Sequence, residues 1–196
     1  MDVPRKDPDW RVLLIGGLSA AGKTIAARHV GLSLGVPWMQ VDDLRLAFQR
    51  ARVSLPEGND ALYFFVNTPH VWQRRPEELR DALIAVGETM SVPFEVVIEH
   101  HVGTSTPLII EGDGVLPTLC SRPSVAEAVA SGAVRAIFLV EPDESVVLAD
   151  TLERGKGTSM STLEELRTEA RAKWLFGQWL GSEAARCGLP VIEPRP

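Results

Sequence analysis

The chain has 196 residues, of which 45% are hydrophobic, and its formal net charge is -6. This length suits one domain with a single sizeable core, and the acidic balance argues against a large nucleic-acid-binding surface. No apolar run reaches the length of a membrane span, and residues 1–8 lack the apolar core of a signal peptide. We therefore expect a cytoplasmic protein with no nucleic-acid or membrane partner.

The two cysteines, Cys120 and Cys187, lack the spacing of metal ligands. We interpret them as ordinary thiols of a reducing compartment. The sequence contains no internal repeat and no low-complexity tract. We expect a single domain over residues 1–196, as a monomer or a homodimer.

A glycine-rich motif follows the first apolar run. Residues 12–15 are typical of a strand buried on both faces, and residues 17–24 match the P-loop pattern G-x-x-x-x-G-K-[ST]. The motif consists of Gly17, Leu18, Ser19, Ala20, Ala21, Gly22, Lys23 and Thr24. Ile25, His29 and Leu32, with Ala26 and Val30, then fall at helical spacing, which predicts a helix after the motif.

The residue types of this motif predict a phosphate-binding site. Glycines let the backbone bend around phosphate oxygens, and the loop N–H groups and the helix N-terminus favour an anion. Lys23 would contact the β- and γ-phosphates, and the Thr24 hydroxyl would ligate Mg²⁺. The alternative is a glycine-rich turn that binds nothing, but the flanking strand and helix favour phosphate binding.

Residues 37–41 predict a second strand, which ends at two acids. Ligands of open parallel sheets bind at the carboxyl ends of strands, so Asp42, ahead of Asp43, is a candidate to accept the proton of an acceptor hydroxyl or to hold Mg²⁺ through water. The alternative is that one of them caps a helix over residues 44–50. Arg45 would hold an acidic group of the substrate, or else be a solvated helix residue.

Residues 54–102 form a segment that is long for a plain crossover between strands. We expect a helical lobe there, placed over an acceptor pocket. Its clearest helical pattern has four apolar residues on one face: Leu79, Leu83, Val86 and Met90. Pro93 is expected to kink or end that helix. Arg74 and Arg75 would line the pocket or be solvated.

Residues 107–113 predict a third strand that ends in acid. P-loop proteins use an acidic residue at such a strand end to hold Mg²⁺ and its waters. Glu111 closes the apolar run here, and Asp113 follows two residues later. Both are candidate metal ligands; the alternative is a turn built on Gly112 and Gly114.

Residues 134–140 predict a fourth strand, followed by a helix that runs to about residue 153. Residues 154–162 then contain two basic residues among glycines, which suits a lid that closes over phosphates. Closure would bring Arg154 to the charge that develops during phosphoryl transfer. The alternative is a helix C-cap with Gly155 as the cap, and the two functions are compatible.

Two capping boxes and a last strand complete the pattern. Residues 124–127 and 161–164 each predict a helix start, and the second helix is long. On it, Arg167 and Arg171 lie one turn apart and would point into the site or pair with acids on the helix surface. Residues 188–192 predict a fifth strand.

The order of these parts resembles the nucleoside-monophosphate-kinase-like group of P-loop kinases, most of all the 2-phosphoglycerate kinase-like proteins. Besides the P-loop, the segments that carry the resemblance are residues 41–45 (VDDLR), 108–117 (LIIEGDGVLP) and 138–143 (FLVEPD). The resemblance implies an α/β P-loop NTPase fold, a three-layer αβα arrangement with a five-stranded parallel sheet of order 2-3-1-4-5 and a helical insertion. It also implies Arg154 at the nucleotide phosphates and Asp42 near the acceptor hydroxyl.

The leading hypothesis is an ATP-dependent small-molecule kinase that uses Mg²⁺, with Lys23, Asp42 and Arg154 as catalytic residues. Its partners would be a nucleotide and a small metabolite, and the resemblance makes 2-phosphoglycerate one candidate acceptor. The alternatives are a nucleotide-binding switch with little turnover, or a kinase for an antibiotic or a nucleotide sugar. The sequence contains neither Asn-Lys-x-Asp nor Asp-x-x-Gly, which argues against a GTPase switch.

Overall fold

The computed structural model describes residues 8–55, 59–155 and 162–194. In chain order, the strands and α-helices of these residues are β1 (Val12–Gly17), α1 (Lys23–Leu34), β2 (Trp38–Gln40), α2 (Val41–Ala51), α3 (Asn59–Asn67), α4 (Pro76–Gly103), β3 (Leu108–Glu111), α5 (Pro123–Ala130), β4 (Val134–Leu139), α6 (Glu144–Gly155), α7 (Leu163–Arg186) and β5 (Val191–Ile192). Short 3₁₀ helices cover Val71–Gln73 and Pro117–Ser121.

The strands form one parallel sheet of order β2-β3-β1-β4-β5. Alternate residues of the strands face opposite sides: Leu14 and Ile110 belong to a core with α4, α5 and α7, whereas Ile15 and Ile109 belong to a second core with α1 and α6. The predicted three-layer P-loop NTPase fold, with five parallel strands in this order, is confirmed.

The buried face of α1 consists mainly of small residues. Ile25 and Leu32 are 77% and 64% exposed, and the residues that pack against the sheet are Lys23, Ala27 and Gly31. A Cβ at position 31 would lie 2.7 Å from the Val36 carbonyl oxygen, so a small face lets the helix approach the sheet closely. The predicted helix is confirmed, and of the residues named for its spacing, Ala26 and Val30 pack against the core.

Helix α4 continues through Pro93 as one element of 28 residues, so the predicted alternative that the helix ends there is wrong. One turn earlier, the Thr89 and Ser91 hydroxyls donate to the Ala85 and Gly87 carbonyl oxygens. The apolar face also extends past the proline, because Phe94 is fully buried. Packing of that face on both sides of residue 93 offsets the lost backbone hydrogen bond.

Helix starts differ from the predicted caps in three places. Helix α2 begins at Val41, so Asp42 and Asp43 lie in its first turn and the N-cap alternative is wrong. Helix α5 begins at Pro123 without a side-chain cap, and the Ser124 hydroxyl donates to Glu95 on α4 instead. Helix α7 has a capping box, but Thr162 is its N-cap.

Across the described ranges, none of the helices combines the length and the apolar character that crossing a membrane requires.

The turn after β3 depends on Gly112. Its φ is 149°, a conformation that costs other residues about 1–3 kcal/mol, and a Cβ there would lie 2.1 Å from Val41 Cγ2. We predict that Gly112→Ala lowers the free energy of unfolding by about 2–4 kcal/mol, measured by urea denaturation. Gly114→Ala is the matched control, because its Cβ would meet Val41 at 3.6 Å; we expect a change below about 1 kcal/mol. Equal midpoints for the two variants would contradict this account.

Candidate active site

The loop between β1 and α1 folds tightly against the rest of the sheet. Gly17 has φ 144°, and a Cβ there would lie 2.4 Å from the Leu139 carbonyl oxygen of β4. Gly22, with φ 81°, directly precedes α1, which has neither a side-chain cap nor an acid in its first turn. Ala20 also has a positive φ, 73°, although it is not a glycine. The first-turn N–H groups of α1 and the strained loop thus form a site suited to an anion.

Lys23 is held inside this loop, with only 6% of its surface exposed. Its Nζ donates to the Leu18 carbonyl oxygen at 2.8 Å and lies 3.6 Å from Asp113 Oδ1. A buried ammonium needs such partners, because desolvation without them is costly. The lysine is therefore already positioned beside any anion that the loop binds.

The parallel register brings Thr24 and Glu111 together. Glu111 pairs with Ile15 of β1 on one side and with Gln40 of β2 on the other, so the three strands end side by side. The Thr24 hydroxyl donates to Glu111 Oε1 at 2.7 Å. Burial raises the pKa of the Glu111 carboxyl, and the Thr24 hydrogen bond and the Lys23 charge only partly oppose this effect.

The pKa of Asp113 shifts in the opposite direction from that of Glu111. Burial tends to raise its pKa, but the Lys23 ammonium and a backbone hydrogen bond lower it, and the net pKa shift is downward. Lys173 of α7, which pairs with Glu169, also lowers it through its charge. Asp113 is therefore the carboxylate of this pair that most readily stays ionised.

The donor set at this point suits Mg²⁺, which prefers oxygen ligands and usually takes one or two carboxylates together with phosphate and water oxygens. Thr24 and Glu111 already share a hydrogen bond, and Asp113 lies on the other side of Lys23. The described residues contain no group of three or more His, Cys, Asp or Glu side chains that could bind a metal ion.

A cavity of about 230 Å³, which we call the phosphate cavity, lies directly over the loop. The P-loop residues Ser19, Lys23 and Thr24 line its floor. Its other polar lining residues are Gln40, Asp42, Glu111, Asp113 and Arg154. Every strand end that the sequence marked with an acid therefore contributes to the same cavity.

A second cavity of about 270 Å³, the lobe cavity, lies beside the first. Its polar end is formed by Ser19, Asp42, Arg45 and Asp113. Its apolar walls come mainly from the segment 59–103 and from α7, and include Phe65, Trp72, Leu83, Met90, Phe94 and Phe176. Helices of the predicted lobe thus surround a pocket, while its use for an acceptor stays a prediction.

The two acids at the end of β2 have different surroundings. Asp42 lines both cavities, and its Oδ1 accepts hydrogen bonds from Arg45 Nη2 at 2.8 Å and Nε at 3.2 Å. Asp43 is exposed, as Asp42 is, but lines neither of these cavities. This difference follows from the helical start at Val41, which sends successive side chains in different directions.

The other arginines considered from the sequence lie away from the two cavities. Arg74 pairs with Glu78 at 2.6 Å, and Arg171 pairs with Glu144 on α6. Arg167 lines a separate surface depression beside Glu144. Arg74 is thus a surface residue in an ion pair and not a pocket residue, and Arg171 pairs with an acid of the neighbouring helix and does not enter either cavity.

Of the predicted lid over residues 154–162, the stretch 156–161 lies outside the described residues. Arg154 is near the end of α6, is exposed, and lines the phosphate cavity. Its role at the nucleotide phosphates stays a prediction.

Sequence reasoning missed Gln40 and the aromatic wall of the lobe cavity. Gln40 is the last residue of β2 and lines the phosphate cavity. In the sequence, nothing marks Gln40 as a site residue until the end of the strand is known. In the sequence, Phe65, Trp72 and Phe176 could not be distinguished from ordinary aromatic core residues. Only their convergence in space marks them as a pocket wall.

Comparisons by sequence found no matching protein-family model and no matching curated protein. Among solved structures, the chain is similar to a shikimate kinase from Acinetobacter baumannii in complex with shikimate, with 14% identity, a TM-score of 0.49, and coverage of 96% of this chain and 86% of that chain. It is also similar to a gluconokinase from Sinorhizobium meliloti 1021, with 13% identity, a TM-score of 0.44, and coverage of 94% and 83%. A putative kinase from Chloroflexus aurantiacus j-10-fl has 14% identity, a TM-score of 0.45, and coverage of 81% and 74%.

At this level of similarity, these neighbours do not indicate the activity of this chain. The resemblance to 2-phosphoglycerate kinase-like proteins is not confirmed by these neighbours and stays a prediction.

The raised pKa of Glu111 makes stability depend on pH. The folded chain binds this proton more tightly than the unfolded chain does, so the free energy of unfolding that Glu111 contributes falls as the pH rises above its usual pKa of 4.5. We predict that Glu111→Gln is more stable than the wild type at pH ~7 without ligands, and that this difference shrinks as the pH falls toward about 4. Urea denaturation across this range measures it.

The control for this experiment is Glu127→Gln, an exposed position on α5. A Glu111→Gln variant that is less stable than the wild type at neutral pH, or a difference that does not change with pH, would contradict the burial argument.

Proposed function

We propose that this protein is an ATP-dependent phosphotransferase that moves the γ-phosphoryl group of ATP to a hydroxyl group of a small molecule. The observation that carries the proposal is that the phosphate cavity and the lobe cavity adjoin and share Ser19, Asp42 and Asp113. A phosphate donor in one cavity and an acceptor in the other would meet at these side chains. Direct transfer requires such contact between the donor phosphate and the acceptor hydroxyl.

On the donor side, the loop N–H groups and the start of α1 would bind the β- and γ-phosphates. Lys23 would exchange its contact with the Leu18 carbonyl oxygen for phosphate oxygens. Arg154, which lines the same cavity, would stabilise the charge that develops on the transferring group. These roles give the chain two cations at the phosphates.

Thr24 and Glu111 would hold a Mg²⁺ ion, directly or through water, with Asp113 as a further carboxylate. When bound, this ion supplies positive charge that neutralises the phosphate oxygens. Burial raises the pKa of Glu111, so a cation beside it would favour its ionised form, while the charge of Lys23 helps to keep the pKa of Asp113 low.

On the acceptor side, Asp42 would orient the hydroxyl and accept its proton. The acceptor oxygen forms a bond to the γ-phosphorus, and the bond from that phosphorus to the β–γ bridging oxygen breaks. Its electron pair stays on the bridging oxygen, which leaves as part of ADP. Arg45 holds the Asp42 carboxylate through two hydrogen bonds, so it is a positioning residue in this scheme.

In this proposal the chain forms one domain, with residues 54–102 as the acceptor lobe and residues 154–162 as the lid. Its ligands would be ATP, Mg²⁺ and a small-molecule acceptor. The wall that α3 and α4 provide to the lobe cavity supports the role of the lobe. The position of Arg154 in the phosphate cavity supports the role of the first lid residue.

The direct test is transfer of label from γ-labelled ATP to a panel of acceptors that contains 2-phosphoglycerate, gluconate, shikimate, nucleoside monophosphates and uncharged alcohols. We expect transfer to one acceptor class, and no transfer by Lys23→Ala, because the loop then lacks the charge that stabilises the transferring phosphoryl group. Tight ATP binding with no transfer to any acceptor would favour a nucleotide-dependent switch instead.

The neighbouring acids give a second prediction. Asp42→Asn should lower kcat by about 100-fold or more, because it removes the proton acceptor, and should leave the affinity for ATP nearly unchanged. Asp43→Asn, one residue along and outside both cavities, should keep the wild-type rate. Steady-state kinetics and nucleotide titration of both variants separate the two effects. Equal rates for the two variants would show that Asp42 is not the base.

A further inference from the structure

The lobe cavity is polar only at its mouth, where it meets the phosphate cavity. Beyond Ser19, Asp42, Arg45 and Asp113, its side chains are apolar. Met90, Phe94 and Phe176 are at most 2% exposed, so this wall belongs to the packed core. An occupant that reaches past the mouth therefore loses its water and gains only apolar contacts.

The charges at the mouth do not suit an anionic occupant. The described lining residues offer two carboxylates, Asp42 and Asp113, and one guanidinium, Arg45. That guanidinium donates to Asp42 through Nη2 and Nε, and to Gln49 Oε1 through Nη1 at 3.4 Å. A carboxylate or phosphate on the occupant would meet two like charges and a guanidinium that is already bonded.

Two other arginines of the helical lobe do not offset the negative charge at the mouth of the lobe cavity. Arg74 pairs with Glu78, and Arg80 pairs with Asp81 at 2.7 Å. Neither arginine lines the lobe cavity. Sites that bind carboxylates or phosphates tightly usually present a free arginine fork, and the described part of this cavity presents none.

Aromatic side chains form much of the apolar wall of the lobe cavity. The rings of Phe65 and Trp72 have centroids 5.6 Å apart and a tilt of 34°, and both line the cavity. Met90 adds a flexible thioether that adapts to the shape of a ligand. The cavity volume of about 270 Å³ is near the lower end of the range of small-molecule sites. Together these features suit one compact ring system or a short branched chain.

We propose that the acceptor is an uncharged, mostly apolar alcohol, with its ring or chain against Phe65, Trp72 and Leu83 and its hydroxyl at Asp42. The inference rests on the phosphotransferase activity proposed above, and it names the class of acceptor for that site. In the transfer step, the alcohol oxygen bonds to the γ-phosphorus, ADP leaves, and the hydroxyl proton passes to Asp42. This inference excludes sugar acids and phosphorylated metabolites as preferred acceptors.

Binding without nucleotide tests the class of ligand separately from catalysis. The probes are benzyl alcohol, phenylethanol and phenylpropanol, with gluconate and 2-phosphoglycerate as anionic comparisons. Binding is followed by the fluorescence of Trp72, and Trp72→Phe identifies the part of the signal that comes from this residue. We expect saturable binding that tightens about three- to four-fold for each added methylene, and anions that bind at least about ten-fold more weakly.

Two variants on α4 locate the binding site. Leu83→Gln should weaken binding of the alcohols about ten-fold, because it places an amide in the apolar wall. Leu83→Met keeps an apolar side chain and should retain binding within about three-fold. Val96→Gln lies on the same helix at a position that is 62% exposed and should bind like the wild type. Thermal unfolding of each variant checks that it is folded.

The outcomes separate this inference from the proposed activity. Saturable alcohol binding that Leu83→Gln weakens and Leu83→Met retains supports the apolar acceptor class. Anions that bind as tightly as the alcohols, or alcohols that do not bind saturably to the folded protein, would overturn it. Alcohol binding together with no transfer from ATP to any acceptor would support the ligand class and contradict the phosphotransferase proposal alone.

Discussion

The parallel register of β2, β3 and β1 is the constraint on which the site depends. Ile15, Glu111 and Gln40 lie level with one another, so three chain segments leave the sheet at the same edge. The hydrogen bond from Thr24 to Glu111 then joins residues that are 87 positions apart in the sequence. A slip of one residue in this register would turn Glu111 to the other face of the sheet and separate these groups.

Charge is balanced inside the loop before any ligand is bound. Lys23 is buried and held by the Leu18 carbonyl oxygen and Asp113, while Glu111 is buried beside Thr24. The carboxyl nearer to the ammonium has a lowered pKa, and the other has a raised pKa. A negatively charged phosphate and a cation would add to this arrangement together, which gives a physical reason for them to bind as a pair.

Much of this architecture could be predicted from the sequence, because short local patterns indicate the strands and the phosphate-binding loop. The glycine spacing of residues 17–24 and the acids at two strand ends predicted the phosphate cavity, and the apolar runs predicted the sheet. The inner face of α1 could not be read from hydrophobic spacing, because Ala27 and Gly31 pack there through their small size. The path of α4 through Pro93 depends on packing over the whole helix, which a local rule about proline does not include.

The lobe cavity was the least predictable part of the site. Its walls come from α3, the 3₁₀ helix at Val71–Gln73, α4 and α7, and long-range packing alone brings these elements together. Separation of Asp42 from Asp43 required the observed start of α2 at Val41. The residues of the phosphate cavity could thus be named from local patterns, although the strand register brings them together, whereas the walls of the lobe cavity follow from tertiary packing alone.

The central claim is that the β1–α1 loop binds a nucleotide through its phosphates. Isothermal titration of the protein with ATP, ADP and adenosine, each with and without Mg²⁺, tests this most directly. The account predicts one site per chain, tightest for ATP with Mg²⁺, weaker for ADP, and no detectable binding of adenosine. Adenosine that binds as tightly as ATP, or ATP that gives no binding heat with Mg²⁺ at several temperatures, would contradict it.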